Sequence, residues 1–341
     1  MNVEILDGPS VECEDYVRRE AQARLCHTPS WSRMVEKVFG HRGYYLVARD
    51  QGGIRGVLPL THVRSRLFAN RMISQAFSDY GGPLVSVPDA LEPLYRRAVE
   101  IAGQVRCPSI EFRNVVALPY DVESRTDKVA VLLPLTDDPQ GVWASLGHKT
   151  RNRIRKAEKE GFVVKSGGPE LLDEFYRAWT IRMHQLGTPC YARKLFAGIM
   201  QSFPAESRIF VATLRDVTAA VLFVCAFGEW AQSCWGTALR EYDSAGPNYI
   251  LNWMAIEHYC RQGCKWFDFG RSTVGSSQFE FKRRWGGTVT QLYYQYWTAP
   301  GHALSPVRPD NPRYQGLVHA WRKLPLSLTR FAGPLISRSL A

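Results

Sequence analysis

The sequence lacks the features of disulfide-rich, zinc-binding and membrane-spanning proteins. Its eight cysteines form no Cys-x-x-Cys pair, and Cys260 and Cys264 stand close together without a second pair to complete a zinc site. No window approaches the roughly 20 apolar residues of a membrane span. Residues 1–7 have neither a basic segment nor a long apolar core, which argues against a signal peptide. We therefore expect a cytoplasmic protein with reduced thiols and no bound metal.

Charge is unevenly distributed along the chain. Residues 1–135 contain 17 Lys and Arg against 16 Asp and Glu, whereas residues 136–341 contain 26 against 16. The excess lies in residues 148–165, with seven cations and two anions, and in residues 301–341, with six cations and one anion. A localised positive charge predicts a polyanionic partner: a nucleic acid, a phosphate-rich substrate or an anionic membrane surface.

The order of predicted elements indicates two α/β halves. Residues 1–135 read as helix, helix, hairpin, strand, helix and strand, and residues 141–300 repeat this order after a basic helix. A stretch rich in Thr, Asp and Pro from Leu135 to Gln140 separates the halves. We expect a mixed sheet with the ligand at the strand ends, and a separate basic segment over residues 301–341.

The basic helix is predicted over residues 148–161. Thr150, Ile154 and Ala157 recur at helical spacing and predict a narrow buried stripe, while the rest of the surface is cationic. One interpretation is a solvated helix face; the other is a phosphate-binding surface. Arg151 and Arg155 are one turn apart, so both can reach one anion, and Lys149 is the third candidate ligand.

A second group of cations follows an aromatic segment at residues 267–287. Phe267, Phe269, Phe279, Phe281 and Trp285 surround a Lys-Arg-Arg triplet, and we expect a strand end that opens into a pocket with Lys282 on a strand.

Lys282 and Asp268, the candidate catalytic residues of this segment, each have two possible roles. Lys282 is either a cation that stabilises an oxyanion, beside a water-excluding Phe281, or a surface lysine paired with Glu280. Asp268 is either a base or, as we favour, an ion-pair partner of Arg271.

Motifs in both halves resemble those of one family. In the second half these are Lys149-x-Arg-x-x-Ile154-Arg-Lys-Ala-Glu, Gly246-Pro-Asn-Tyr-Ile-Leu, Phe267-Asp-Phe-Gly-Arg and Phe281-Lys-x-x-Trp-Gly286. In the first half they are His27-Thr-Pro-Ser-Trp31, Gly56-Val-Leu-Pro-Leu60 and Phe77-Ser-Asp-Tyr-Gly-Gly82-Pro. Together they resemble the FemAB-like branch of the GNAT superfamily, and most of all the FemAB-like proteins associated with PEP-CTERM and exopolysaccharide loci.

The resemblance implies an α/β (α+β) fold of two tandem GNAT-like domains with mixed sheets. It implies transfer of an acyl or aminoacyl group, with aminoacyl-tRNA favoured as donor, to an amine of a cell-envelope or exopolysaccharide precursor, as in peptidoglycan bridge synthesis. The donor would be a cosubstrate, with no tightly bound cofactor. The family's Phe-Lys pair corresponds to Phe281 and Lys282, and the basic helix would line an interdomain channel for the acceptor's phosphates. Tyr80 would lie near the domain interface.

Two alternatives to this function remain. In acetyltransferases of this fold, a glycine-rich loop at the start of a helix binds the pyrophosphate of coenzyme A. Here Gly246 and Asn248, which we count with Arg271 among the substrate-binding candidates, flank a proline that removes one N–H donor. The sequence also lacks a long heptad segment of the kind that helps some family members hold tRNA. A coenzyme A-dependent N-acyltransferase and a non-catalytic phosphate- or RNA-binding module are therefore the alternatives.

The C-terminal segment is basic and amphipathic, with predicted breaks at Pro325 and Pro334. Its apolar residues are Leu317, Val318, Trp321, Leu324, Leu328, Phe331 and Leu335, and its cations are Arg313, Arg322, Lys323, Arg330 and Arg338. The segment either lies on the anionic inner leaflet, which would make the protein peripheral to the membrane, or packs across the two domains.

Overall fold

The computed structural model describes residues 1–65, 70–303 and 312–340, with the side chains of the last range described from residue 316. The strands are β1 (Asn2–Ile5), β2 (Arg42–Asp50), β3 (Gly53–Arg64), β4 (Asn70–Ile73), β5 (Leu84–Val85), β6 (Ser109–Asn114), β7 (Glu123–Pro134), β8 (Val163–Gly167), β9 (Ser207–Leu214), β10 (Val217–Phe227), β11 (Trp230–Ala238), β12 (Trp266–Thr273) and β13 (Thr288–Thr298). The helices are α1 (Val11–Arg19), α2 (Pro29–Phe39), α3 (Leu91–Gln104), α4 (Pro139–Ser145), α5 (His148–Lys159), α6 (Leu172–Leu186), α7 (Arg193–Ser202), α8 (Pro247–Arg261), α9 (Ser277–Arg283), α10 (Pro312–Lys323) and α11 (Leu326–Ser337).

The chain divides into two compact units. Unit 1 consists of Met1–Val129, Thr290–Val307 and Ser339–Ala341, and unit 2 of Ala130–Val289 and Arg308–Arg338. Most of β13 therefore belongs to unit 1, and α10 and α11 belong to unit 2. Since compactness does not test independent folding, the predicted domains, 1–135, 141–300 and 301–341, stay a proposal.

Unit 1 contains a mixed sheet in the order β1-β2-β3-β4-β6-β13. Strands β4 and β6 pair in parallel, whereas β1 with β2, β2 with β3, β3 with β4 and β6 with β13 are antiparallel. Helix α3 buries Leu94, Ala98 and Ile101 against Leu58 and Phe112 of the sheet. The spacing of three and four residues places these helical side chains on one face.

Unit 2 contains a sheet with helices on both faces. Strands β8 to β11 form antiparallel neighbours, and β11 pairs in parallel with β12. The ring of Phe223 on β10 lies 5.6 Å from Phe175 of α6, whereas Phe210 on β9 lies 6.2 Å from Tyr259 of α8. Since Phe210 is opposite Leu222 in the register, Phe223 points to the other face. Burial on both faces explains why β10 is almost continuously apolar. The predicted mixed α/β class is confirmed.

The C-terminal segment forms two helices that pack on α6 of unit 2. Pro325 separates α10 from α11 as predicted, but the predicted break at Pro334 is wrong, because α11 continues through it to Ser337. A proline removes one backbone hydrogen-bond donor, but the helix continues, and Ser337 on its inner side donates a hydrogen bond to the Cys190 carbonyl. The side chain of Arg313, one of the predicted cations, lies outside the described residues. None of the described helices is long and apolar enough to cross a membrane.

Candidate functional site

Strands β11 and β12 separate after a short paired stretch. The parallel register runs from Trp230 opposite Trp266 to Gln232 opposite Asp268, and within the described residues it does not continue, although both strands do. A β-bulge in β11 follows Gln232, where the register with β10 shifts. Bulges bend a strand away from its neighbour. Beyond Gln232 and Asp268, no described residue of β11 pairs with a residue of β12, and we call this region the strand gap.

Gly270 departs from the extended backbone conformation within β12, and we call this position the turn at Gly270. Gly270 has φ +70°, a left-handed conformation that glycine adopts without the steric cost of a Cβ atom. The carboxylate of Asp268 is fully buried, and its Oδ1 accepts a hydrogen bond of 2.7 Å from the Gly270 N–H. Asp268 therefore stabilises the turn in β12, and its role as a base stays a proposal.

Lys282 also bonds the backbone of the turn at Gly270. Its ammonium donates to the carbonyl oxygens of Gly270 at 3.0 Å and Arg271 at 2.9 Å. Lys282 lies on α9, so the prediction of a strand there is wrong. The reason is local, because Ser276 caps this helix by accepting a hydrogen bond from the Phe279 N–H at 3.2 Å.

An aromatic cluster fixes α9 against the start of α8. The ring of Phe281 lies 5.2 Å from Tyr249, and the fully buried Trp285 lies 6.1 Å from Tyr249 and 5.5 Å from Phe269. Tyr249 follows Gly246, which precedes the first turn of α8 with φ +75°. The positions of Phe281 and Lys282 are thus tied to the segment that contains Gly246 and Asn248.

Neither Tyr249 nor Trp285 was selected from the sequence as a site residue, although Trp285 was counted in the aromatic segment. Both lie inside the motifs that carried the resemblance, Gly246-Pro-Asn-Tyr and Phe281-Lys-x-x-Trp. The signal was therefore present, but nothing in the sequence showed that the two aromatic residues meet.

The basic helix α5 reaches the same region. Thr150 Oγ1 donates a hydrogen bond of 2.7 Å to the carbonyl of Arg284, the residue after α9. The predicted inward stripe is confirmed, since Thr150, Ile154 and Ala157 are all buried.

The cations of α5 lie on two flanks of the helix. Helical geometry places Arg151 and Arg155 about 40° apart around the axis, whereas Lys149 is about 160° from Arg151. The guanidinium of Arg155 lies 5.5 Å from the centre of the Trp143 ring, a cation–π contact that orients it.

Nine of the ten predicted site residues thus lie in unit 2, and Tyr80 lies in unit 1. Tyr80 is buried, and the guanidinium of Arg24 lies 5.4 Å from its ring centre. Asp243, which precedes the start of α8, pairs with Arg182 at 3.1 Å. No group of three His, Cys, Asp or Glu residues in the described ranges could hold a metal ion.

Residues 145–283 match the family model of the acetyltransferase (GNAT) domain. The matched region begins just before α5 and ends at Arg283, so it contains the strand gap, the start of α8 and Lys282. No curated protein matches the chain in sequence.

Solved structures show the same fold over most of the chain. FemX is 14% identical with a TM-score of 0.66, covering 86% of this chain and 97% of its own. The C-terminal domain of a proposed lysylphosphatidylglycerol synthetase from Agrobacterium fabrum is 14% identical with a TM-score of 0.55, covering 84% and 91%. A tandem GNAT protein from the clavulanic acid biosynthesis pathway is 13% identical with a TM-score of 0.50, covering 89% and 100%. The tandem GNAT-like fold predicted from the sequence is confirmed.

Proposed function

We propose that the protein is an acyltransferase that moves an acyl or aminoacyl group from an activated ester or thioester to an amine. The observation that carries the proposal is the gap between β11 and β12, with the Lys282 ammonium held beside the turn at Gly270. A gap bordered by strand backbone can hold the extended end of a donor through main-chain hydrogen bonds. The match of this region to the acetyltransferase domain supports the same reaction class.

The chemistry requires stabilisation of a negative charge at the donor carbonyl. The acceptor amine attacks the carbonyl carbon and forms a C–N bond, and the tetrahedral intermediate carries an oxyanion. The C–O or C–S bond then breaks, and the proton lost by the amine leaves with the alcohol or thiol. In our proposal the Lys282 ammonium stabilises the oxyanion and Phe281 excludes water, while Asp268 or the substrate itself accepts the proton.

We favour aminoacyl-tRNA as the donor. Arg151 and Arg155 share one flank of α5, and α5 is tied to the residue after α9. Guanidinium groups are suited to phosphates because their planar forks donate two hydrogen bonds at once. Lys149, Arg271, Gly246 and Asn248 complete the phosphate- and substrate-binding set of unit 2 in this proposal, and Tyr80 of unit 1 stays a separate candidate residue.

The alternative donor is acyl-coenzyme A. It is favoured by the acetyltransferase domain match and by the left-handed Gly246 at the start of α8, because the N-terminus of a helix attracts the negative charge of a pyrophosphate. Pro247 at the first position of the helix removes one backbone N–H donor from that terminus.

We propose that the acceptor is the amine of a cell-envelope or exopolysaccharide precursor made in the cytoplasm. The resemblance to FemAB-like proteins of PEP-CTERM loci supports this, and the neighbour named for lysylphosphatidylglycerol synthesis supports aminoacyl transfer to a lipid-linked acceptor. Mass spectrometry of peptidoglycan and surface glycans from a deletion strain tests it. Loss of one aminoacyl or acyl substituent identifies the product, and unchanged material in both fractions rejects the acceptor class.

Thermal denaturation with candidate donors separates the alternatives. A ligand that binds only the native protein raises the melting temperature in proportion to the logarithm of its concentration above Kd. Stabilisation by charged tRNA but not by acetyl-coenzyme A supports the favoured donor, and the reverse result supports the alternative. If the protein bound charged and uncharged tRNA with equal affinity and transferred no group, the result would instead indicate the non-catalytic module.

A further inference from the structure

Helix α11 presents its large apolar side chains to solvent and its small side chains to the protein. Thr329, Gly333 and Ser337 recur every four residues and are buried. Leu328, Phe331 and Leu335 lie on the opposite side, and they are 46%, 73% and 64% exposed. This is the reverse of the arrangement expected for a surface helix, in which the apolar stripe packs against the core.

Specific contacts fix this orientation. A Cβ atom added at Gly333 would lie 2.9 Å from Cys190 Sγ and 3.0 Å from the Cys190 backbone nitrogen, so the helix approaches unit 2 too closely for a larger residue. Ser337 Oγ donates to the Cys190 carbonyl at 2.9 Å, and Arg330 Nε donates to Thr180 Oγ1 at 2.9 Å. The outward position of the large residues therefore follows from packing on the inner side.

The exposed apolar stripe is flanked by positive charge. Residues 312–340 contain five Lys and Arg and no Asp or Glu. Lys323, at the end of α10, and Arg338, next to the end of α11, are exposed. Leu317 on α10 adds a fourth outward apolar side chain, 65% exposed. Exposed apolar residues beside cations, without any acidic residue, are the composition of segments that bind anionic lipid surfaces.

We propose that α10 and α11 form a docking surface for an anionic lipid bilayer, on which they lie parallel to the membrane plane. Phe331 and Leu335 enter the boundary between headgroups and acyl chains, and Lys323 and Arg338 contact lipid phosphates. At 12 residues each, the helices are about 18 Å long, shorter than the roughly 30 Å of a bilayer core, so they lie on the surface. A second copy of the chain fits the surface less well, because two segments of the same positive charge would face each other.

Flotation of the full-length protein with lipid vesicles tests the proposal. Binding is expected to vesicles of phosphatidylcholine and phosphatidylglycerol in equal amounts, and to be weak with phosphatidylcholine alone. Lys323→Glu should weaken binding about fivefold or more, from the loss of one charge contact, and added salt should reduce the difference. Phe331→Glu with Leu335→Glu should abolish flotation, because two carboxylates replace the inserted side chains.

Matched controls separate membrane binding from loss of structure. Lys37→Glu, at an exposed position of α2, makes the same charge change elsewhere. Val116→Glu introduces a carboxylate at an exposed apolar residue of unit 1. Both should float like the wild type, and all variants should melt at the wild-type temperature. Equal flotation of the Phe331/Leu335 variant and the wild type would overturn the proposal. So would a concentration-dependent dimer that the same variant abolishes while vesicle binding is absent.

Discussion

Lys282 bonds two consecutive backbone carbonyls, and this geometry gives it two separable contributions. The bonds to Gly270 and Arg271 stabilise the turn in β12, and they place the positive charge beside the backbone of that strand. A structural role would lower stability on substitution, whereas a catalytic role would lower turnover. Measurements of both distinguish the two contributions.

Lys282→Ala should lower kcat about 100-fold or more with donor binding nearly unchanged, because the cation acts on the charge that develops in the transition state. Lys282→Arg should recover only part of the activity, because a planar fork cannot occupy the position of a point charge. Steady-state kinetics and donor affinity measure the effect. Arg283→Ala is the matched control, since Arg283 is exposed and pairs with Glu280 at 2.8 Å. Wild-type turnover in Lys282→Ala would remove the catalytic assignment.

His27 makes stability depend on pH. Burial lowers the pKa of His27 to about 4, and its Nδ1 accepts a hydrogen bond from the Arg24 backbone N–H at 2.9 Å. Because the unfolded chain takes up a proton near pH 6.5 and the folded chain only near pH 4, stability is present above pH 6.5 and is lost as pH falls between these values. The loss attributable to His27 is about 3 kcal/mol, at 1.36 kcal/mol for each pKa unit.

Denaturant unfolding at several pH values measures this dependence. His27→Gln should flatten the curve between pH 6.5 and 4, because an amide does not titrate. His319→Gln, at an exposed position of α10, should leave the slope unchanged. A His27→Gln curve parallel to that of the wild type would show that other groups cause the dependence.

The sequence identified several residues of the candidate site, but it did not show which atoms they bond. Lys282, Phe281 and Asp268 were selected from the sequence. Lys282 and Asp268 both bond the backbone of Gly270, whereas Phe281 packs on Tyr249. The ion pair of Asp268 with Arg271 stays a prediction, whereas the hydrogen bond that Asp268 accepts from the Gly270 N–H was not predicted. The alternation of apolar and polar residues along a strand does not encode a left-handed glycine within it.

At the level of elements, α5 carries the clearest test of anion binding. Arg151→Glu with Arg155→Glu should weaken binding of the polyanionic donor strongly and reduce its salt dependence, because phosphate contacts release counterions. Arg153→Glu with Lys156→Glu changes the charge by the same amount on the other flank of the same helix. Titration of tRNA at two salt concentrations measures both variants. Equal loss in the two variants would show that only net charge matters, and no loss in the first would reject the site.

The turn of β12 is the second element that can be tested. Gly270→Ala should destabilise the protein by about 1 to 2 kcal/mol, because an alanine pays a steric cost at positive φ. It should also lower kcat, since the turn presents the carbonyls that hold Lys282. Gly263→Ala is a matched control, because Gly263 has φ +79° and no atom within 4 Å of an added Cβ. The control should lose similar stability and keep its turnover. If both variants kept turnover, the turn would not position the catalytic cation.

Periodicity and capping explain which elements could be predicted. The apolar stripe of α5 is typical of a helix, and the continuous apolar run of β10 is typical of a buried strand; the structure has both elements. Lys282 was expected on a strand, although the nearby Ser276 is a capping residue for a short helix. In a segment of seven residues, the cap was the better indicator.

At the level of the whole chain, the fold class followed from the sequence, but the composition of the units did not. Strand β13 pairs with β6, with Tyr293 opposite Asn114, and so joins a unit made mostly of the first 129 residues. Pairing between segments so far apart depends on tertiary packing and leaves no local signal in either segment. The assignment of α10 and α11 to unit 2 likewise depends on tertiary packing and leaves no local signal in the sequence.

The central claim is that this chain transfers an acyl group to an amine. The most direct measurement incubates the purified full-length protein with radiolabelled aminoacyl-tRNA, or with radiolabelled acyl-coenzyme A, and a fraction of cell-envelope precursors, and follows label into amide-linked product. We predict transfer from one of the two donors, lost in Lys282→Ala and retained in Arg283→Ala. Absence of transfer from both donors to every precursor fraction, by a protein that is folded, would contradict the account.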